Sequence, residues 1–250
     1  VRTPVTSALQ ADVGPHRRFG TAAVPLEDFQ AVHRWAGGSV QDAIVTSIAG
    51  ALRTWLQGRG AAVDPSSVIR ALIPISTANT GGGAAGPSAF LVDLPIGESD
   101  PLIRLRRVSH DSAAFTDVSR ALGARTLVSI AGFGPATLHA LGARLAAGIS
   151  SRVYNVAIVN VPGPQRPLFA GRARLLASYP VMPLASGQAL ALGVTSYDGT
   201  VYLGANADRE AIPDLDDLVS GLARAVRELR EAAQVPRSDR YAPMQSGRHA

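Results

Sequence analysis

The chain has no cysteine and no lysine. Without cysteine there is no disulfide framework and no thiol nucleophile, and a reducing compartment is compatible with the sequence. Without lysine, every basic side chain apart from the histidines is arginine, which accounts for a pI near 10.4 and points to a high-GC genome rather than a selected function. Aromatic residues are 5% of the chain, and the arginines are scattered without basic-aromatic interleaving, so nucleic acid is set aside as a partner. The five histidines are dispersed and form no metal motif. No G-x-S-x-G elbow surrounds Ser129 or Ser196, which removes the serine-hydrolase reading. Charged residues are 17%, against roughly 25% in an average soluble protein. Much of the surface must therefore be Ala, Gly, Ser and Thr, a surface that suits a partner.

The sequence begins Val1-Arg2-Thr3-Pro4, without the apolar core of a signal peptide, and reads like the inside of a longer protein. Between Arg125 and Arg144 lie 18 uncharged residues, the length at which a membrane span has to be considered. Gly132, Gly134 and Pro135 divide them, and two short buried or interfacial helices are expected instead. Arg17-Arg18 and the group Arg104, Arg106, Arg107 are candidate contacts for anionic lipid or CoA phosphates, or else solvated faces.

With 250 residues, 46% of them hydrophobic, a sizeable core is available. Residues 1–16 look like an exposed linker and lead into a strand from Arg17 to Val24. Leu26, Phe29, Val32 and Ala36 recur at helical spacing until Gly37-Gly38, a pair suited to a left-handed stop. Ser39 with Asp42 three residues on predicts a capping box for a helix striped by Val40, Ile44, Ile48, Leu52 and Trp55. Strands are expected at Val68–Ile75 and Ala89–Leu94. Gly81 to Gly86 between them spells G-x-G-x-x-G, but Pro87 leads into a strand rather than a helix, so a loop is the better reading. From Asp100 to Ile149 the pattern is helical, through Leu102, Leu105 and Val108 and later Leu138, Leu141 and Leu145. Strands return at Val153–Val159, Arg174–Tyr179 and Ala189–Ser196, and Asp198-Gly199 predicts a type I′ hairpin into Val201–Asn206. A last helix begins at Asp214 and buries Leu215, Leu218, Leu222, Val226 and Leu229. Strands grouped with intervening helices predict one α/β domain, a two-layer mixed sheet with helices packed on it.

The run Asn160-Val161-Pro162-Gly163-Pro164 ends an apolar strand in a turn. Pro162 presets the first corner, and Gly163 can take φ > 0 at the second. Asn160 either caps that turn through its own side chain or aims its amide at a ligand. Together with Pro167-Leu168, Ser196-Tyr197-Asp198-Gly199 and Pro213-Asp214, the run resembles the C-terminal half of the bacterial wax ester synthase/acyl-CoA:diacylglycerol acyltransferases, over nearly the whole chain, with an actinobacterial source implied by the base composition.

The resemblance implies the second lobe of a two-lobed, chloramphenicol acetyltransferase-like fold, with residues 1–16 as the interlobe linker, 17–233 as the lobe and 234–250 as a flexible tail. It implies an acyl-CoA co-substrate with no tightly bound cofactor and no metal. The acceptor is diacylglycerol or a long-chain alcohol, and the complete protein lies in the cytoplasm, at the inner membrane face or on lipid droplets. The family's base lies in a His-His-x-x-x-Asp-Gly motif of the first lobe. This chain contains no such motif, so no catalytic residue is expected here and the first lobe is the implied partner. Gln41-Asp42 stands where the family has Asn-Asp at a helix start, and Gly86-Pro87 where it has Gly-Asn. The candidate tunnel or lobe-junction residues are Gln41, Asp42, Asn160, Gly163 and Ser196. The alternative is a non-catalytic binding or scaffold module of the same fold.

Overall fold

In the computed structural model, residues 8–75, 88–121 and 153–234 are described. The expectations for Gly81 to Gly86, Gly86-Pro87, the stretch from Arg125 to Arg144, Ser129, Leu138 to Ile149 and the tail after Gln234 fall outside them. Six strands form one mixed sheet: β1 (Arg17–Pro25), β2 (Ile69–Ile75), β3 (Ser88–Leu94), β4 (Val156–Pro162), β7 (Leu190–Tyr197) and β8 (Thr200–Asp208). Their order across the sheet is β1-β8-β7-β4-β2-β3. β4 is parallel to both β2 and β7, whereas β1 and β7 pair antiparallel with β8, and β3 pairs antiparallel with β2. β1, β2, β4 and β7 therefore run one way, and their carboxyl ends share one end of the sheet.

Helices α1 (Leu26–Ala36), α2 (Val40–Gly58), α3 (Pro101–Ala121) and α4 (Leu215–Gln234) cover one face. Their buried stripes meet the alternate strand residues Val156 and Ile158 of β4, Leu190, Leu192 and Val194 of β7, and Val201, Leu203 and Ala205 of β8 in one apolar core. α1 stops where Gly37 and Gly38 take φ of 81° and 73°, a left-handed conformation closed to most side chains. At the far end of α2, Trp55 donates to Asp214 at 3.0 Å and Arg59 pairs with the same carboxylate at 3.1 Å. Arg53 reaches the carbonyls of Ile96 and Gly97 at 2.7 and 2.9 Å, just beyond the Ile69–Leu94 pair that begins β2. The 19 residues of α2 then carry its N-terminus roughly 28 Å back, to the end where β4 and β7 finish.

The opposite face is covered by chain without regular pairing. The expected strand Arg174–Tyr179 is not there: only Ala173–Arg174 (β6) pairs, with Phe169–Ala170 (β5), and the chain then runs over the sheet. It is held through sheet side chains, with Tyr202 donating to the Leu176 carbonyl at 3.1 Å and Asn206 to the Met182 carbonyl at 2.7 Å. Gly193 and Gly204 make this possible. A Cβ on Gly193 would stand 2.9 Å from the Pro180 ring, and one on Gly204 would collide with the Pro180 carbonyl. The apolar residues expected to form a strand at 174–179 thus belong to a largely exposed segment tied to the sheet through its carbonyls, not to a ladder.

Two further expectations change. Arg104 is no surface cation. It is 2% exposed, and it donates to the Glu98 carbonyl at 2.9 Å. Burial pushes its guanidinium below the usual range. Residues 8–14 do not run free either. Leu9 is fully buried in the core, its carbonyl accepts from the Ala189 N–H at 2.8 Å, and the Gly14 N–H donates to Asp208 at 2.8 Å.

Candidate functional site

The capping box at the start of α2 forms as the Ser39 and Asp42 spacing requires. The Asp42 N–H donates to the Ser39 hydroxyl at 3.0 Å, and the Ser39 N–H donates to the Asp42 carboxylate at 2.8 Å. The same carboxylate oxygen accepts from the Ser109 hydroxyl of α3 at 3.2 Å, so Asp42 ties two helices together from a buried position. Gln41 beside it is half-buried, and among the described residues its amide has no protein partner.

Asn160 lies near the carboxyl end of β4, opposite Val194 of β7. It follows Val156 and Ile158 on the helix-facing row and is the first polar residue past the core. Its amide likewise has no protein partner among the described residues, so the turn-capping role is not taken up. Asn160 and the start of α2 therefore share one face and one end of the sheet, the position where open α/β sheets place ligands.

Gly163 and Ser196 are brought together directly. β4 does not stop at Val159 but pairs with β7 through Pro162, opposite Ser196. Gly163 lacks the positive φ its place in the turn suggested. Its requirement is steric, because a Cβ there would collide with the Ser196 carbonyl. The Ser196 hydroxyl accepts from the Gly163 N–H at 3.3 Å and from the Gln165 amide at 2.8 Å. The Gln165 amide also donates to the Gly163 carbonyl at 3.0 Å and accepts from the Gly199 N–H at 3.1 Å. Asp198 and Gly199 take φ of 47° and 78°, the two left-handed corners expected of a type I′ turn. Gln165 is absent from the sequence-based site. The available signal was an amide placed directly after the Pro162-Gly163-Pro164 turn, whose two prolines cannot donate.

No base stands among these groups. A carboxamide does not titrate near neutrality, the Ser196 hydroxyl already accepts two hydrogen bonds, and Asp42 is engaged at the helix start. His33 is exposed, with Nδ1 2.5 Å from the Gly38 carbonyl. His110 is exposed beside Asp111. Among the described residues no cluster of three metal-ligating side chains occurs, and no helix is long and apolar enough to cross a membrane. An open groove of about 400 Å³ between α3 and β3, bordered by Asp93, Ile103, Arg106 and His110, includes none of the candidates. The arrangement at the β4 and β7 ends can orient a ligand through amide groups but cannot accept its proton.

The WS/DGAT C-terminal domain model matches residues 87–230, more than half of the chain. The chain belongs to this family. A probable diacylglycerol O-acyltransferase of Mycobacterium tuberculosis is 32% identical over 233 residues, which are 92% of this chain and 50% of that protein. A second probable diacylglycerol O-acyltransferase of the same species is 30% identical over 237 residues, covering 92% and 51%. Among solved structures, the wax ester synthase/diacylglycerol acyltransferase from Marinobacter aquaeolei VT8 superposes with a TM-score of 0.71 at 26% identity, over 92% of this chain and 52% of that one. A condensation domain of the enacyloxin polyketide synthase superposes with a TM-score of 0.56 at 12% identity, a likeness of fold alone. The chain spans about half the length of the curated relatives it matches. It is thus a WS/DGAT C-terminal domain, with the mixed α/β architecture the sequence led us to expect.

Proposed function

We propose that this domain is the second lobe of an O-acyltransferase that transfers an acyl group from acyl-CoA to diacylglycerol or a long-chain alcohol. The supporting observation is the pair of unpartnered amides, Gln41 and Asn160, on one face and at one end of the sheet, with no base beside them. In this reading a His-His-x-x-x-Asp-Gly lobe takes the proton of the acceptor hydroxyl. The resulting oxygen nucleophile attacks the thioester carbonyl, the carbon–sulfur bond breaks and CoA leaves as the thiolate. This lobe closes one wall of the acyl and CoA passage, and its amides hydrogen-bond the polar groups of the thioester arm. Excluding water there protects the thioester from hydrolysis. Asp42, Gly163 and Ser196 hold the wall in shape. The complete protein works in the cytoplasm at the surface of a membrane or lipid droplet, where its apolar acceptor resides.

The test joins this chain to the first half of the Mycobacterium tuberculosis relative and follows triacylglycerol formation from radiolabelled acyl-CoA and diacylglycerol. Asn160→Ala is expected to raise KM for acyl-CoA about tenfold, the effect of losing one or two hydrogen bonds, with unchanged Tm. Enzymatic turnover by this chain alone overturns the two-lobe reading. It also rules out the alternative of a non-catalytic module.

A further inference from the structure

α1 hands over to α2 through Gly37 and Gly38, two adjacent residues in the left-handed region. A glycine pair is the least constrained backbone a chain can offer, and by itself it would let the two helices swing against each other. The His33 side chain spans it. Its Nδ1 lies 2.5 Å from the Gly38 carbonyl, which can only accept, so Nδ1 carries the proton and donates. The His33 carbonyl also accepts from the Gly37 N–H at 3.1 Å. One residue of α1 thereby holds both glycines. Gly38 in turn lies against α3 and the capping box, where a Cβ would stand 2.6 Å from the Ser109 hydroxyl oxygen and 3.4 Å from the Asp42 carboxylate. Ser109 donates to that carboxylate at 3.2 Å, and Asp42 closes the box with Ser39. His33, Gly38, Ser39, Asp42 and Ser109 are one connected junction. Gln41 sits inside this run, in the first turn of α2, with its amide unpaired.

We propose that His33 is a positioning residue, whose Nδ1–H holds the glycine turn in the geometry that presents the Gln41 amide to the thioester arm of acyl-CoA. The inference rests on the O-acyltransferase reading above. An amide serves a ligand only when it is held within about 0.5 Å of its productive place. A turn already fixed also spares the substrate the ordering cost of arranging it on binding. His33 therefore acts on the affinity for acyl-CoA and not on the chemical step. Asn160 belongs to β4, outside the junction, and does not depend on this tie.

The experiment has two arms. In the first, hydrogen exchange compares the 250-residue chain with His33→Ala, His33→Asn and His33→Gln. His33→Ala is expected to speed exchange of the Asp42 and Ala43 amides about fivefold, the worth of one hydrogen bond, while β4 and β7 keep their protection. Asparagine, whose amide nitrogen falls near the Nδ1 position, restores protection, and glutamine, which reaches the Nε2 position, does not. In the second arm the chain is joined to the first half of the Mycobacterium tuberculosis relative, and acyl transfer is followed. His33→Ala raises KM for acyl-CoA about fivefold with kcat unchanged, and His33→Asn returns KM to the wild-type value. On a Gln41→Ala background His33→Ala adds nothing, because the amide it positions is gone, whereas with Asn160→Ala the two effects multiply. Unchanged exchange in His33→Ala, or a KM effect of the same size with and without Gln41, overturns the positioning role and leaves the acyltransferase reading standing. An inactive wild-type fusion overturns that reading, and the proposal with it, even where exchange responds to the loss of His33.

Discussion

Gly50 of α2 faces Arg104 of α3 so closely that a Cβ on the glycine would stand 2.7 Å from Nη1 of the guanidinium. That guanidinium is pinned by the carbonyls of Glu98 and Ser99, so it has little room to retreat. Gly50→Ala would gain up to about 1 kcal/mol of helix propensity, but displacing Arg104 costs about 1–3 kcal/mol. A net loss of stability is expected. Arg104→Ala should lose about 3 kcal/mol, because it leaves buried carbonyls unpaired beside a cavity. Urea unfolding measures both, and a Gly50→Ala variant as stable as the wild type refutes the close contact.

Gly163→Ala should be among the most damaging single-methyl additions in the chain. The added carbon collides with the Ser196 backbone of β7, which lies between β4 and β8, so relief requires β4 to separate from β7. A loss of about 3 kcal/mol is expected. Gly199→Ala, with open space around its Cβ, has only its left-handed φ against it and should lose about 1 kcal/mol. Circular dichroism melts of the two variants give the order.

Asp42→Ala removes a capping box and the bond from Ser109 and should lower stability by about 1–2 kcal/mol. Ser109→Ala on that background should add little, since its partner is already gone. If the joined two-lobe protein with Asp42→Ala keeps its kcat once corrected for the folded fraction, the carboxylate acts through α2 alone. A fall in kcat at full folding assigns it a part in the chemistry.

Asp208 carries the expected pH dependence. Its carboxylate lies below the ordinary aspartate range, first because it accepts the Ala211 N–H, then those of Gly14 and Glu210, with Arg17 nearby. A group whose folded pKa is depressed stabilises fully above its unfolded value of about 3.9 and loses that contribution as pH falls through the folded value. Asp208→Asn should therefore melt well below the wild type at pH 7, and the two melting curves should converge as the pH drops below about 4. A gap that stays constant to pH 2 contradicts this assignment.

The features legible in the sequence were those whose cause lies within a few residues. Ser39 and Asp42 announce their capping box by spacing, Gly37-Gly38 their stop, and Asp198-Gly199 their turn. What stayed hidden depends on distant parts of the chain. Nothing near Gly163 says that Ser196 will press against it, and nothing near Arg104 says that Gly50 of α2 will leave room for a guanidinium inside. Pro180 packs on Gly193 and Gly204, a contact that local pattern does not encode. At the site the sequence named both free amides, Gln41 and Asn160. It missed Gln165, whose importance comes from joining segments about thirty residues apart.

The pairing of β1 with β8 sets Arg17 opposite Asp208, nearly the full length of the domain away in sequence. During vectorial synthesis β1 leaves the ribosome long before its neighbour exists, and it stays without a ladder partner until β8, the last strand of the described sheet, emerges. Nascent chains halted anywhere short of Asp208 would present that strand bare, a natural handhold for a chaperone.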